Sequence, residues 1–430
     1  MFRQIFPKGS FRHLVAANTV SQLIGRAVST VGMTIVSILI AQHFGASGYG
    51  DFVKITTYVG FFYLFADFGL NAVYIQRAVD DEHAFSASVP WQELFGLRLM
   101  MSVLLAGAAM GILLLLPRGS GQGYTPLVRL GILLLTPAII FQAVTTTTNA
   151  LFQKILRYDL ATHAQNAGSV ITLVTAVLFI WLSGVNGAYV GVYAIFAGSV
   201  VTALLALFFV LKIHKTIAPL FHWRRMWRIF LETFPLGMTL IFNLVYFHAD
   251  SVVLTLTRST QEVGIYGLAY KVFELPLVFP LFFMNAVYPL FLKATRSKSN
   301  DSRIMFWQSF WFLLGSAVVI AAIVWFAAPL VTIIRPEFSL SILPLRILIV
   351  SLPIFFVSSL FMWILIARKQ NWKLFGIHSV AMIGNITANI LFIPSHGYIA
   401  AAWITGVSEL FILLVSSYVV APLLRKQKGE

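Results

Sequence analysis

The sequence has no cysteine, so it holds no disulfide framework, no thiolate metal site and no cysteine nucleophile. Charge is scarce: only 10% of the residues are Asp, Glu, Lys or Arg, against about 25% in soluble domains. Acids are scarcest, 15 against 30 Lys and Arg. The nine histidines are scattered, without an H-E-x-x-H spacing, and there is no G-x-x-x-x-G-K-[ST] loop. No catalytic residue, metal site or cofactor is therefore expected, and ATP-driven pumping within the chain is not either. The expectation is a protein that is not an enzyme.

Apolar side chains fill the space that these absences leave. They make up 59% of the 430 residues, with a mean hydropathy of +0.87, which excludes a soluble globular fold. One spanning helix takes about 20 mostly apolar residues, so about twelve would consume nearly the whole apolar inventory. Outer-membrane barrels alternate apolar and polar residues. Here runs such as 112–116 and 132–135 are continuous, which predicts an all-α polytopic membrane protein.

The pattern predicts helices over 19–41, 52–74, 94–116, 127–150, 161–182 and 188–211. A second set covers 229–255, 263–291, 306–330, 343–366, 374–392 and 398–423. Most connections are short and carry Gly, Pro, Ser or Asn. A net charge of +15 in a soluble protein would point to nucleic acid; in a membrane protein the positive-inside rule accounts for it, and no nucleic-acid partner is expected. With both termini cytoplasmic, 21 Lys and Arg fall on the inner side and 5 on the outer, which fixes the expected topology. The longest inner connection, 212–228, mixes Lys212, Lys215, Arg224, Arg225 and Arg228 with Phe221, Trp223 and Trp227. That composition suits an interfacial segment on an anionic leaflet. The expected organisation is an N-terminal six-helix lobe (1–211), a basic cytoplasmic interfacial linker (212–228) and a C-terminal six-helix lobe (229–430).

The two lobes read as copies. Asn71-Ala72-Val73-Tyr74 returns as Asn285-Ala286-Val287-Tyr288, and Tyr49-Gly50 followed by Lys54 returns as Tyr266-Gly267 followed by Lys271. Asn186-Gly187-Ala188-Tyr189 resembles His396-Gly397-Tyr398. Six helices per copy return the chain to the same side, so the repeats are parallel and a central cavity between them is the expected site.

Ionisable residues at membrane depth are costly and face a bundle interior or water. Four cations fall inside the predicted helices: Arg26, Lys54, Arg98 and Lys271. They are the candidates for binding a polyanion, although Arg98 also lies close enough to a helix end to snorkel or to pair with Asp67 or Glu93. The embedded acids are Asp67, Asp250, Glu274 and Glu409. Glu274 lies three residues after Lys271, an ion-pair spacing. Glu409 sits in mid-helix with no cation nearby in sequence and is the foremost ion-coupling candidate. Asn243, Asn385 and Asn389 are candidates for glycan contact, with interhelical hydrogen bonding as the alternative.

Phe44-Gly45-Ala46-Ser47-Gly48-Tyr49-Gly50 and Asp67-Phe68-Gly69-Leu70 resemble the N-terminal signature of Wzx-type polysaccharide flippases. Ala249-Asp250, Val263-Gly264-Ile265-Tyr266 and Ala269-Tyr270-Lys271 resemble the start of their second half. Ile393-Pro394 through Gly397, Ala400-Ala401-Ala402-Trp403 and Ser408-Glu409 resemble their last hairpin, with Ala400 in place of a common glycine. The resemblance implies the multidrug/oligosaccharidyl-lipid/polysaccharide exporter superfamily, with two six-helix lobes around a central cavity. It implies a flippase moving an undecaprenyl-pyrophosphate-linked oligosaccharide, an O-antigen or exopolysaccharide repeat unit, to the outer leaflet of the bacterial inner membrane. The implied partners are that lipid-linked glycan, the bilayer, a polymerase or chain-length regulator of the same pathway, and an H+ or Na+ counter-ion. A MATE-like drug or cation antiporter shares the architecture and is the alternative. A membrane-embedded polymerase or ligase is disfavoured by the short outer loops.

Overall fold

The computed structural model describes residues 8–71, 74, 91–117, 119, 121–155, 157–182, 186–213, 217–296, 301–368 and 370–425. Among them no strand occurs beyond one isolated antiparallel bridge, Gln122 to Ser259. The helices are α1 (Lys8–Asp67), α2 (Trp91–Leu115), α3 (Pro126–Leu135), α4 (Ala138–Lys154), α5 (Tyr158–Trp181) and α6 (Gly187–Ile213). They continue with α7 (Trp223–Thr257), α8 (Thr260–Arg296), α9 (Asp301–Ala327), α10 (Ile342–Val350), α11 (Leu352–Ala367) and α12 (Asn371–Arg425). Two 3-10 segments, Ala328–Ile333 and Pro336–Ser341, lie between α9 and α10.

Two pairs of predicted helices are continuous. Residues 19–41 and 52–74 are expected as separate helices, yet α1 runs from the first into the second, broken inside only at Gly45 (φ 70°, ψ −172°), and ends at Asp67, short of residue 74. The same holds for 374–392 and 398–423 in α12, broken at Gly397 (φ 63°, ψ −150°). Straight helices of 60 and 55 residues would run about 80–90 Å, nearly three hydrocarbon thicknesses. Each therefore supplies two crossings, and the left-handed glycine is where the chain turns, because an L side chain is strained there. Nine described helical stretches are long and apolar enough to cross a membrane. Two crossings each from α1 and α12 raise these to eleven, and α7, at 35 residues, has the length for one more. Other predicted helices are subdivided: 127–150 becomes α3 and α4 around Pro137, and 343–366 becomes α10 and α11 around Ser351. In the 212–228 connection, residues from Trp223 onward are already the first turns of α7.

The chain divides into two compact units. The first is Met1–Phe44, Lys54–Arg118 and Tyr124–Ile241; the second is Gly45–Val53, Gly119–Gly123 and Phe242–Glu430. In the first unit the core gathers Leu94, Phe95 and Leu97 of α2, Leu151 and Phe152 of α4, and Met226 and Ile229 of α7. Helices α5 and α6 meet along small residues. A Cβ added at Gly168 would fall 2.8 Å from the Gly198 carbonyl and 1.8 Å from the Thr202 hydroxyl, and one at Gly198 would meet Thr172 in the same way. Lipid tails are as apolar as leucine, so helices in a bilayer associate through such close backbone packing.

In the second unit both helix breaks that it contains are bound by an arginine–glutamate pair. Glu337 accepts from the Ala46 amide at 2.7 Å, beside Arg335 at 3.5 Å. Arg258 holds Glu262 at 2.9 Å and donates to the Pro394 carbonyl at 3.2 Å, over Gly397. A broken helix leaves backbone donors and acceptors unpaired, and the charged pairs supply partners for some of them.

Candidate substrate and ion sites

In the first unit Arg98 is fully buried and its guanidinium is occupied by its neighbours. Nε donates to the Ala66 carbonyl at 3.3 Å and Nη1 to Thr147 Oγ1 at 3.2 Å. Nη2 serves Asp67 Oδ1 at 3.1 Å, Asn71 Oδ1 at 2.9 Å and the Asp67 carbonyl at 3.4 Å. All of these acceptors except Thr147, which is on α4, lie where α1 ends. Phe68 (φ 44°) and Gly69 (φ 69°) turn the chain out of the helix and orphan its last carbonyls. Phe68 is held in this rare conformation by stacking flat on Phe230, with centroids 5.2 Å apart. Arg98 is thus the cap of a helix end, with Asp67 as its charge partner. Lys54, on the second arm of α1, is buried at 1% exposure. The side chains of Arg26 and Asn243 lie outside the described residues.

In the second unit two buried carboxylates share a braced arrangement. Asp250 on α7 accepts from the Tyr266 hydroxyl of α8, from Thr405 of α12 at 3.3 Å and from the Ser251 amide at 2.6 Å. Glu409 on α12 accepts from Tyr246 of α7 at 3.0 Å and from Ser358 of α11. Tyr246 and Asp250 are one turn apart on α7, and Thr405 and Glu409 are one turn apart on α12. Each helix therefore lends a hydroxyl to the other's acid. Among the described residues the two carboxylates accept from hydroxyls and a backbone amide, while His248 lies near Asp250 and Tyr270 near both acids. Acids paired with hydroxyls rather than with cations keep acceptor capacity for a proton or a small cation.

Lys271 and Glu274 form a half-exposed ion pair at 3.3 Å on α8. Asn389 donates to Asn385 at 2.8 Å, and Asn385 donates to Ser408 at 3.0 Å. The Asn389 side-chain Oδ1 is buried with no hydrogen-bond partner among the described residues. Asn385 and Ser408 also line a cavity of about 380 Å³ between the two arms of α12, otherwise walled by apolar side chains such as Phe392 and Trp403.

The structure thus brings Asp250 and Glu409 together, joins Arg98 to Asp67, joins Lys271 to Glu274 and joins Asn385 to Asn389. The sequence does not mark the hydroxyls of Tyr246, Tyr266, Ser358 and Thr405 as partners of these acids, although Tyr266 stands in the internal repeat. The signal available was the four-residue spacing of Tyr246 to Asp250 and of Thr405 to Glu409, which puts each pair on one helix face.

A family model described as "Polysaccharide biosynthesis protein" matches residues 14–295. No curated protein gives a match. Among solved structures the chain resembles the lipid II flippase MurJ in an inward closed conformation. The TM-score is 0.75 at 15% identity, over 94% of this chain and 87% of that one. It also resembles a MATE family multidrug transporter of the MOP superfamily facing inward, with a TM-score of 0.72 at 15% identity, over 93% and 96% of the two chains. A MOP superfamily transporter from Pyrococcus furiosus gives 0.67 at 14% identity, over 97% and 96%. At these identities the likeness is one of fold: a helical, two-lobe transporter architecture.

Proposed function

Because the chain belongs to the polysaccharide biosynthesis protein family, matched over about two thirds of its length, we propose that it flips a polyprenyl-pyrophosphate-linked oligosaccharide across the bacterial cytoplasmic membrane by alternating access. The observation that carries this reading is the family match on a multi-pass helical chain that keeps cations at membrane depth. Lys54, at 1% exposure, is the clearest of them. A lysine retained in an apolar bundle is a functional-site candidate by default. Arg26, Lys54 and Lys271 are the proposed pyrophosphate contacts, since Arg and Lys bind phosphate oxygens through charge-assisted hydrogen bonds. Arg98 contributes by positioning, through the α1 end that it caps. Asn243, Asn385 and Asn389 supply amides of the kind that hold sugar hydroxyls.

Asp250 and Glu409 are the proposed binding groups for a coupling H+ or Na+. The membrane potential also drives the reaction: carrying two uncompensated negative charges outward is worth roughly 4.6 kcal/mol per 100 mV. Both termini and the connection before α7 face the cytoplasm in this scheme. The O-antigen and exopolysaccharide repeat units are the substrate classes that fit, and a polymerase or chain-length regulator is the protein partner that would consume the product.

The acid pair also favours a second reading, a cation-coupled drug antiporter with the MATE fold. Reconstituted vesicles separate the two. A defined polyprenyl-diphosphate glycan should become accessible on the far leaflet at a rate that depends on the protein. Efflux of organic cations with no glycan translocation would establish the antiporter instead.

A further inference from the structure

The first turns of α7 present a surface that nothing in the scheme above uses. Arg225 Nη1 and His222 Nδ1 both reach the buried Glu93 Oε1 of α2, at 2.8 and 3.1 Å. The Leu220 amide donates to the Gln92 carbonyl at 3.0 Å. Met226, Ile229 and Thr233 are buried on the same side. These contacts fix the rotation of the helix. At 100° per residue, Arg224 and Arg228 lie about 100° and 60° from Arg225, on the side away from Met226, Ile229 and Thr233, and both are exposed with no acidic partner among the described residues.

Beside the two arginines runs an exposed apolar stripe: Trp223 (63%), Trp227 (50%), Leu231 (53%) and Phe234 (45%). Its rings form a ladder. Trp223 stacks on Trp227 with centroids 6.1 Å apart, Trp227 on Phe230 at 5.5 Å, and Phe230 on Phe68 at 5.2 Å. The ladder thus connects the arginine end to the strained turn that Arg98 caps. From Trp223 to Phe234 the stripe extends about 16 Å along the helix, roughly half the hydrocarbon core. Arginines at one end of an aromatic strip of one-leaflet length are complementary to an anionic headgroup followed by a long hydrocarbon chain. The i, i+4 spacing sets the two Cβ atoms about 6 Å apart, so that the two guanidinium groups can reach neighbouring phosphates of one diphosphate.

We infer that Arg224, Arg228 and the Trp223–Trp227 ladder form a docking site for the polyprenyl diphosphate end of the substrate lipid on the side of the membrane where α7 begins. The site captures the lipid before translocation, and this inference rests on the flippase reading. The arginines take the diphosphate. The aromatic strip carries the first isoprene units, and the glycan stays in water.

The test uses the full chain in phosphatidylcholine nanodiscs containing small amounts of either undecaprenyl diphosphate or phosphatidylglycerol, with retained lipid counted by native mass spectrometry. Wild type should retain the diphosphate lipid in preference to phosphatidylglycerol. The double variant Arg224→Gln/Arg228→Gln should lose about tenfold in retention of the diphosphate lipid, and the Arg224→Lys/Arg228→Lys pair should recover part of it because charge remains without the bidentate fork. Trp223→Ala should weaken retention without removing either arginine. All of these residues are exposed, and an unchanged unfolding temperature would separate lost binding from lost folding. Equal retention by wild type and the Gln variant overturns the site. Equal retention of the two lipids by wild type, lost together in the variant, reduces it to a general anionic-lipid surface. Translocation of a lipid-linked glycan is measured in parallel. Wild-type flipping by a variant with unchanged lipid retention rejects the docking site alone, whereas no flipping by wild type rejects the flippase reading beneath it.

Discussion

Arg98 and Glu409 show how differently a buried charge behaves according to what surrounds it. Arg98 meets the Asp67 side chain, two carbonyls, a hydroxyl and an amide oxygen, so its donors are used. Removing one member of a buried pair costs about 3–5 kcal/mol, and the lower end applies here because the Asp67 side chain is one-third exposed. Arg98→Ala should lower the unfolding temperature in detergent markedly. Arg98→Lys should recover little, since an ammonium cannot serve acceptors on so many sides. A wild-type melting curve for Arg98→Ala would contradict its capping role. Glu409 is touched by the hydroxyls of Tyr246 and Ser358, with Tyr270 nearby. Glu409→Gln keeps the shape and most of the hydrogen bonding, so the fold should survive while the dependence of transport on an imposed ion or proton gradient falls. Unaltered gradient dependence would take Glu409 out of the coupling mechanism.

At the scale of elements, the helix breaks are more sensitive than the helices. Gly397 combines a left-handed φ with an ion pair seated where a side chain would go. Gly397→Ala should therefore destabilise the protein by about 1–2 kcal/mol from the backbone alone, with more from displacing Arg258 and Glu262. Gly384 lies in the same helix with nothing within 4 Å of an added Cβ. Gly384→Ala should be neutral or stabilise by up to about 1 kcal/mol, as Ala outranks Gly in a helix interior. Thermal unfolding of the two variants side by side checks the contrast, and equal effects would show that the turn has no special demand. The Arg335–Glu337 and Arg258–Glu262 pairs could not be assigned to these breaks from spacing, because the first of them is 291 residues from the amide that it binds.

For the whole molecule the testable property is sidedness. The chain has no native cysteine, so single-cysteine variants report accessibility without background. Phe221→Cys, before α7, should react with an impermeant thiol reagent only from the cytoplasmic side. Gln122→Cys, in the connection before α3, should react only from the outside. Labelling of both from one side would overturn the topology that the 21 to 5 division of cations predicts.

Hydropathy and charge determined the all-helical membrane class, the number of crossings and the identity of the embedded acids and cations, because a bilayer demands about 20 apolar residues per crossing and penalises every charge inside it. The same physics hid which face of each helix points inward. Lipid is as apolar as a protein core, so buried and lipid-exposed positions draw on the same residues: Leu113 is 2% exposed and Leu115 is 85% exposed in one helix turn. Only the tertiary structure could decide that Tyr246 meets Glu409 while Thr405 meets Asp250, that Arg98 closes the end of α1, and that Arg225 reaches the buried Glu93 while Arg224 and Arg228 have no acidic partner among the described residues. Those outcomes depend on helix rotation and on contacts between residues 27 to 163 positions apart, which no local periodicity records.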